Sequence, residues 1–168
     1  EGGAGKAYMV RAGLFNDVDI ALHWHAGDQN IVTNEPTLSN KSAKFRFTGI
    51  AAHAAGAPDR GRSAREGDEA MNFMANLMRE QDPQDARNHN IITRGGDAPN
   101  VVPESAEVFY YVRHRNPLVM SEIFDRIVKT SEAAAIGTGT SVTHEVIHGA
   151  YSLLPNDTLA SVVDDHLR

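Results

Sequence analysis

Between Lys41 and His148 the hydrophobic period of the chain switches repeatedly between two and 3.6, and that order of switches is what most restricts the fold. Lys44-Phe45-Arg46-Phe47-Thr48 alternates polar and apolar residues, as a half-buried strand does. After a loop rich in Gly, Ala and Pro, Ser63 with Glu66 three residues on matches a capping box and opens a helix. Its inward stripe reads Ala70, Met71, Met74, Leu77 and Met78, and it ends before Pro83. Strands follow at Asn90–Arg94 and Ala106–Arg113, separated by a loop that opens on Gly95-Gly96. Asn116-Pro117 then supplies a cap and a first-turn proline. Met120, Ile123, Phe124, Ile127 and Val128 mark a helix face running to about Ala135. Gly137-Thr138-Gly139 closes that helix, and Ser141–Ile147 reads as a last strand.

Strand, helix, strand, strand, helix, strand is the split β-α-β, ferredoxin-like order. The expected fold class is therefore α+β, with a four-stranded antiparallel sheet and two helices on one face. The expected division is a segment 1–40, the ferredoxin-like unit 41–148 and a segment 149–168. The flanking segments look like parts of another domain into which the unit is inserted. In the first of them, Asp19–Leu22 reads as a strand leading to His23 and His25. In the last, Leu159, Val162, Val163 and Leu167 fall at helical spacing behind Asn156 or Asp157, either of which would cap. The chain thus reads as a piece of something longer.

Composition narrows the chemistry. The 168 residues contain no cysteine, so disulfides, Cys-zinc sites and thiol nucleophiles are excluded. Any metal must be held by the eight histidines and the carboxylates. A formal charge of −6 disfavours nucleic acid as a partner. The third strand adds no aromatic stacking signature beyond Phe109-Tyr110-Tyr111. No apolar run approaches the ~20 residues that span a bilayer.

Four stretches could carry function. His23 and His25 in His23-Trp24-His25 would share a face if the strand continues, which suits a metal pair and equally suits chance in a His-rich chain. His53 lies in Ala51-Ala52-His53-Ala54-Ala55-Gly56, among side chains too small to hide it. That stretch is either a mobile loop or a place where another surface approaches. Asn100, in Pro99-Asn100-Val101-Val102-Pro103, either satisfies a turn or offers a ligand both a donor and an acceptor. Arg113, at a strand end, is either solvated or a planar fork for a carboxylate.

Together and in order, these stretches resemble the aminoacylase and carboxypeptidase family of co-catalytic zinc amidohydrolases. Gly2-Gly3-Ala4-Gly5-Lys6, Arg11-Ala12-Gly13-Leu14-Phe15, Trp24-His25, Ala52-His53-Ala54-Ala55, Gly61-Arg62-Ser63-Ala64, the Asn100 motif and Val112-Arg113 carry the likeness. It implies a cytoplasmic enzyme with two zinc ions, cleaving an amide of an aminobenzoyl-glutamate-like or N-acyl amino acid substrate. The unit 41–148 would be its lid, forming a homodimer through an exposed helix or edge strand. Glu1 and His25 would fall at metal-ligand positions. His53 would be a catalytic lid histidine that reaches the active site of the neighbouring protomer. Asn100 and Arg113 would bind substrate, Arg113 by its free carboxylate. Five other parts of the family's site have no counterpart in this sequence: an upstream His, the Asp after it, a bridging Asp, the base Glu and a final downstream His. The piece alone is therefore expected to bind zinc weakly, if at all, and to be inactive. The competing reading is a non-catalytic ferredoxin-like module that binds a small regulatory ligand.

Overall fold

A computed structural model describes residues 4–167. Its centre is a four-stranded antiparallel sheet built from β1 (Ser39–Thr48), β3 (Arg87–Arg94), β5 (Ser105–His114) and β6 (Ser141–Ala150), in spatial order β3-β5-β1-β6. Helices α2 (Ala64–Met78) and α3 (Pro117–Thr138) pack against this sheet and each other. This is the expected ferredoxin-like arrangement. A second, two-stranded sheet pairs β2 (Ala52–His53) with β4 (Val101–Val102). A short helix α1 (Gly5–Arg11) precedes the unit and α4 (Asp157–Leu167) follows it. Among the described residues, no helix is long and apolar enough to cross a membrane.

The core forms where the strand alternation meets the helical stripes. Ala43, Phe45 and Phe47 of β1 and Ala106, Val108, Tyr110 and Val112 of β5 are buried on one face. Met71, Ala75 and Met78 of α2 and Met120, Ile123, Phe124 and Ile127 of α3 cover them. Gly67 lets α2 lie close to β1: a Cβ there would stand 2.6 Å from the Phe47 ring. The α2 stripe is rotated from its expected setting. Leu77 faces outward, 59% exposed, because Ala64, Gly67, Met71, Ala75 and Met78 form the contacting row and Leu77 lies a quarter turn away.

Helix ends follow local chemistry. Ser63 Oγ accepts the Glu66 N–H at 3.2 Å, and Asn116 Oδ1 accepts the Leu118 N–H at 2.9 Å. Helix α3 runs through Gly137 and stops at Gly139, whose φ of +65° is the left-handed cap conformation. Helix α4 is capped by Asn156, whose Oδ1 accepts the Leu159 N–H at 3.0 Å.

One expected element does not form. Residues 18–38 contain neither helix nor strand, so Asp19–Leu22 is not a strand. Ile20 and Leu22 are 55% and 68% exposed. A short apolar run cannot make a strand where no neighbouring strand takes its backbone hydrogen bonds and no surface covers its apolar side.

Candidate functional site

The loop between β1 and α2 is pinched shut at its base. Ile50 and Arg62 exchange both backbone hydrogen bonds, at 2.8 and 2.9 Å. A Cβ on Gly49 would sit 1.9 Å from the Arg62 carbonyl oxygen, so only glycine fits. Within the loop, β2 pairs His53 with Val101, and the Ala54 N–H donates to the Asn100 carbonyl at 2.9 Å. The small sheet therefore brings His53 and Asn100 to one place, although they lie far apart in sequence. Both residues are exposed.

His53 has a defined tautomer. Its Nδ1 accepts the N–H groups of Ala55 (3.2 Å) and Gly56 (3.0 Å). An acceptor cannot also carry the hydrogen in the neutral ring, so Nε2 does, and the ring offers an N–H donor on its free side. An open cleft of about 380 Å³ lies near this sheet, lined by Arg65, Gly96, Asp97, Pro99, Val101 and Pro103; neither His53 nor Asn100 lines it.

Arg113 lies at the other end of the main sheet, on the face opposite α2 and α3. Along β5, even-numbered residues are buried under the helices and odd-numbered ones face away. Toward the middle of that open face, Glu107 accepts hydrogen bonds from Lys44 Nζ (3.0 Å), Arg46 Nε (2.7 Å) and Thr93 Oγ1 (2.7 Å). Burial works against its charge, but the hydrogen bonds from Thr93, Lys44 and Arg46 prevail and hold its carboxyl below the usual range.

The Arg113 end is different: no described carboxylate pairs with this arginine, and its Nε is buried without an acceptor. The guanidinium lies 5.4 Å from the Tyr111 ring centre. Tyr111 is flanked along its own rung by His89 of β3 and Ser42 of β1, and Ser42 is aligned with His148 of β6. The His148 ring is 5.2 Å from the Tyr111 ring, and its Nδ1 is 2.9 Å from Ser42 Oγ. Burial first, then the Arg113 charge, pushes both histidines down from their ordinary value; Arg79 and Arg87 add to the effect on His89.

The sequence reading missed His89, Tyr111 and His148. Tyr111 was within reach, since it has the same strand parity as Arg113. The histidines join it only through cross-strand register, which sequence alone does not give.

The remaining candidates do not assemble. His25 is exposed, and its Nδ1 donates to the carbonyl of Ala26, its neighbour, at 2.8 Å. His23 is also exposed. Glu1 lies outside the described residues. Among the described residues no group of three or more His, Asp or Glu could hold a metal ion. The donor set for two zinc ions is therefore not built by these residues.

Residues 38–152 match the peptidase dimerisation domain family. The chain is 43% identical to a p-aminobenzoyl-glutamate hydrolase subunit of Escherichia coli, over 97% of its own length and 34% of that protein's. It is 29% identical to the Xaa-Arg dipeptidase of Mus musculus, over 99% of its own length and 38% of that protein's. It thus spans about a third of the curated relatives it matches. The aminobenzoyl-glutamate utilization protein of Klebsiella pneumoniae shares the fold, with a TM-score of 0.74 at 22% identity. That likeness covers 94% of this chain and 41% of that one.

Proposed function

The chain belongs to the peptidase dimerisation domain family, and we propose that it is the lid of an amide-cleaving hydrolase, contributing binding and polarising groups to a reaction centre completed elsewhere. The relatives are hydrolases of amide or peptide bonds, which supports the reaction class. The substrate we infer is an N-acyl amino acid amide of the aminobenzoyl-glutamate kind, cleaved by a homodimer joined through this domain.

The observation that carries the reading is the His53 tautomer. Amide hydrolysis passes through a tetrahedral intermediate with negative charge on the former carbonyl oxygen, and a fixed N–H donor aimed at that oxygen lowers the barrier. Two backbone N–H groups hold His53 Nδ1, which commits Nε2–H to donation before any substrate arrives. Asn100, fixed beside it through its carbonyl, leaves its carboxamide free to accept from or donate to the substrate. Arg113, whose guanidinium no described carboxylate pairs, takes the free carboxylate of the leaving amino acid. Zinc dependence is part of the proposal only through the family resemblance. The described residues of this chain do not form the metal site, and we expect it alone to bind zinc weakly and to cleave no amide.

The test is His53→Ala in a full-length protein containing this chain. A loss of turnover of about 10²-fold or more with unchanged folding supports the reading. Unchanged turnover would favour a non-catalytic ligand-binding module instead.

A further inference from the structure

The strand end that carries Arg113 has a clamp with no part in the reading above. Strand β5 loses its β3 neighbour at the Arg87–Arg113 rung, so past Arg113 no backbone pair holds it on that side. His114, the next residue, supplies the missing rung with its side chain. It points to the face opposite Arg113 and is 8% exposed. Its Nε2 lies 3.0 Å from Oδ1 of Asp85, in the turn before β3. Its Nδ1 lies 3.0 Å from the backbone nitrogen of Asn116, the cap of α3. A carboxylate only accepts, so Nε2 carries the hydrogen and, in the neutral ring, Nδ1 takes the Asn116 N–H. One imidazole thus ties together the turn 83–86, the end of β5 and the start of α3. The same turn restrains Arg87, whose Nη1 donates to the carbonyls of Gln84 and Ala86. Arg87 is the register partner of Arg113, and like charges opposite each other on a sheet repel.

We propose that His114 is a positioning residue for Arg113. By clamping the end of β5 to the 83–86 turn and to α3, it fixes where the Arg113 guanidinium meets the substrate and keeps Arg87 drawn back. This rests on the reading that Arg113 holds the free carboxylate. His114 itself is buried on the other face and touches no ligand. Without the ring, the strand end frays beyond its last β3 rung, and ordering Arg113 again costs entropy at the moment of binding. That loss falls on ground-state binding rather than on the chemical step, so it raises KM and spares kcat. A purely structural loss would instead reduce the amount of active protein and lower the apparent kcat for every substrate alike.

The test is steady-state kinetics in a full-length protein containing this chain. The probes are p-aminobenzoyl-glutamate and its α-carboxamide, the latter read as a competitive inhibitor of the former. His114→Ala should raise KM for the acid about five- to tenfold with kcat changed less than about twofold, and should leave the inhibition constant of the carboxamide nearly unchanged. His114→Gln, whose amide N–H replaces the one donated to Asp85, should recover most of the lost affinity. Asp85→Ala removes the same bond from its half-exposed side, 54% accessible, so the question stays answerable if His114→Ala folds poorly. On an Arg113→Ala background neither change should raise KM further, since the group being positioned is gone. Equal losses for acid and carboxamide, a fall in kcat, or an unchanged KM in both His114→Ala and Asp85→Ala would overturn the proposal. An Arg113→Ala variant with wild-type KM would overturn the carboxylate reading beneath it. Arg113→Ala with a raised KM beside silent His114→Ala and Asp85→Ala variants would sink this inference alone.

Discussion

His53 and Arg113 stand at opposite ends of the molecule's sheet system. His53 pairs with Val101, ahead of the first residue of β5, whereas Arg113 is the last residue but one of that strand. At ~3.3 Å per residue, the stretch of β5 from Ser105 to Arg113 alone spans roughly 25 Å. One lid cannot place both side chains on one small substrate. If both serve the same reaction, they must come from different copies of the chain.

This gives a complementation test in the full-length protein. His53→Ala and Arg113→Ala homodimers should each be nearly inactive. A mixed dimer has one site with an intact His53 from one protomer and an intact Arg113 from the other, and a second site with neither. Co-expressed, differently tagged protomers purified as the mixed dimer should regain about half the wild-type turnover, as independent sites require. A mixed dimer as inactive as its parents would mean that both residues act within one protomer's site; parents as active as the wild type would mean that neither residue acts.

The closure of the His53 loop depends on a glycine for a reason unrelated to backbone angles. Gly49→Ala would drive a methyl group into the Arg62 carbonyl, 1.9 Å away, and must break the Ile50–Arg62 pair that seals the loop base. Expected is a loss of about 2–4 kcal/mol in denaturant unfolding and new protease cleavage between residues 50 and 62. A variant as stable and as resistant as the wild type would mean that the loop base yields without cost.

Much of this architecture is legible in the sequence, and the boundary of legibility is physical. The Ser63–Glu66 spacing and the Asn116-Pro117 pair announce helix starts because capping is satisfied within a few residues of chain. The alternation from Lys44 to Thr48 announces a strand because one face is buried by the protein's own helices. The strand expected at Asp19–Leu22 does not form, because nothing described covers its apolar residues. Strands β2 and β4, at two residues each, are too short to show any period, so the meeting of His53 with Asn100 is invisible beforehand. Arg113 can be placed at a strand end from sequence, but its companions His89 and His148 come from β3 and β6. Only the register of the whole sheet brings them to Tyr111.

A buried carboxyl sets a pH dependence of stability. Asp68 is fully buried on α2, accepting from Asn72 Nδ2 at 2.7 Å through Oδ1 while Oδ2 has no partner. Burial chiefly raises its pKa, to about 6, against the opposing charge of Arg65. With the folded pKa above the unfolded one, there is no penalty below the unfolded value of 3.8. The penalty grows as pH rises toward 6 and is complete above it, at roughly 3 kcal/mol. Asp68→Asn should therefore stabilise the chain by about 1–2 kcal/mol near neutral pH, less than the full penalty because the new amide N–H inherits the unpartnered position of Oδ2. The gain should shrink as the pH falls from 6 and vanish only below the unfolded value of 3.8, where the aspartic acid is largely neutral in both states. Thermal unfolding of both proteins across this range tests the sign; a gain that persists unchanged at low pH would rule out ionisation as its cause.

Glu107 should behave in the opposite sense. Its carboxyl is held below the usual range because the hydrogen bonds from Thr93, Lys44 and Arg46 outweigh the effect of burial. The stability it supplies is thus fully present above the unfolded value of 4.5 and is lost as pH falls through its folded value. Glu107→Gln keeps an acceptor for Thr93 but removes the charge that balances Lys44; Arg46 retains Glu145 at 2.8 Å. The side chain is only 17% exposed, so screening by solvent is limited, and the expected cost near neutral pH is about 1–2 kcal/mol. Urea midpoints of the two proteins should converge as the pH is lowered below 4.5 to the point where the wild-type carboxyl takes up its proton and resembles the amide. A gap that stays constant down to that pH would show that Glu107 acts through packing rather than charge. The cation-rich face would then lack the electrostatic contrast that distinguishes its paired middle from the unpaired Arg113 end.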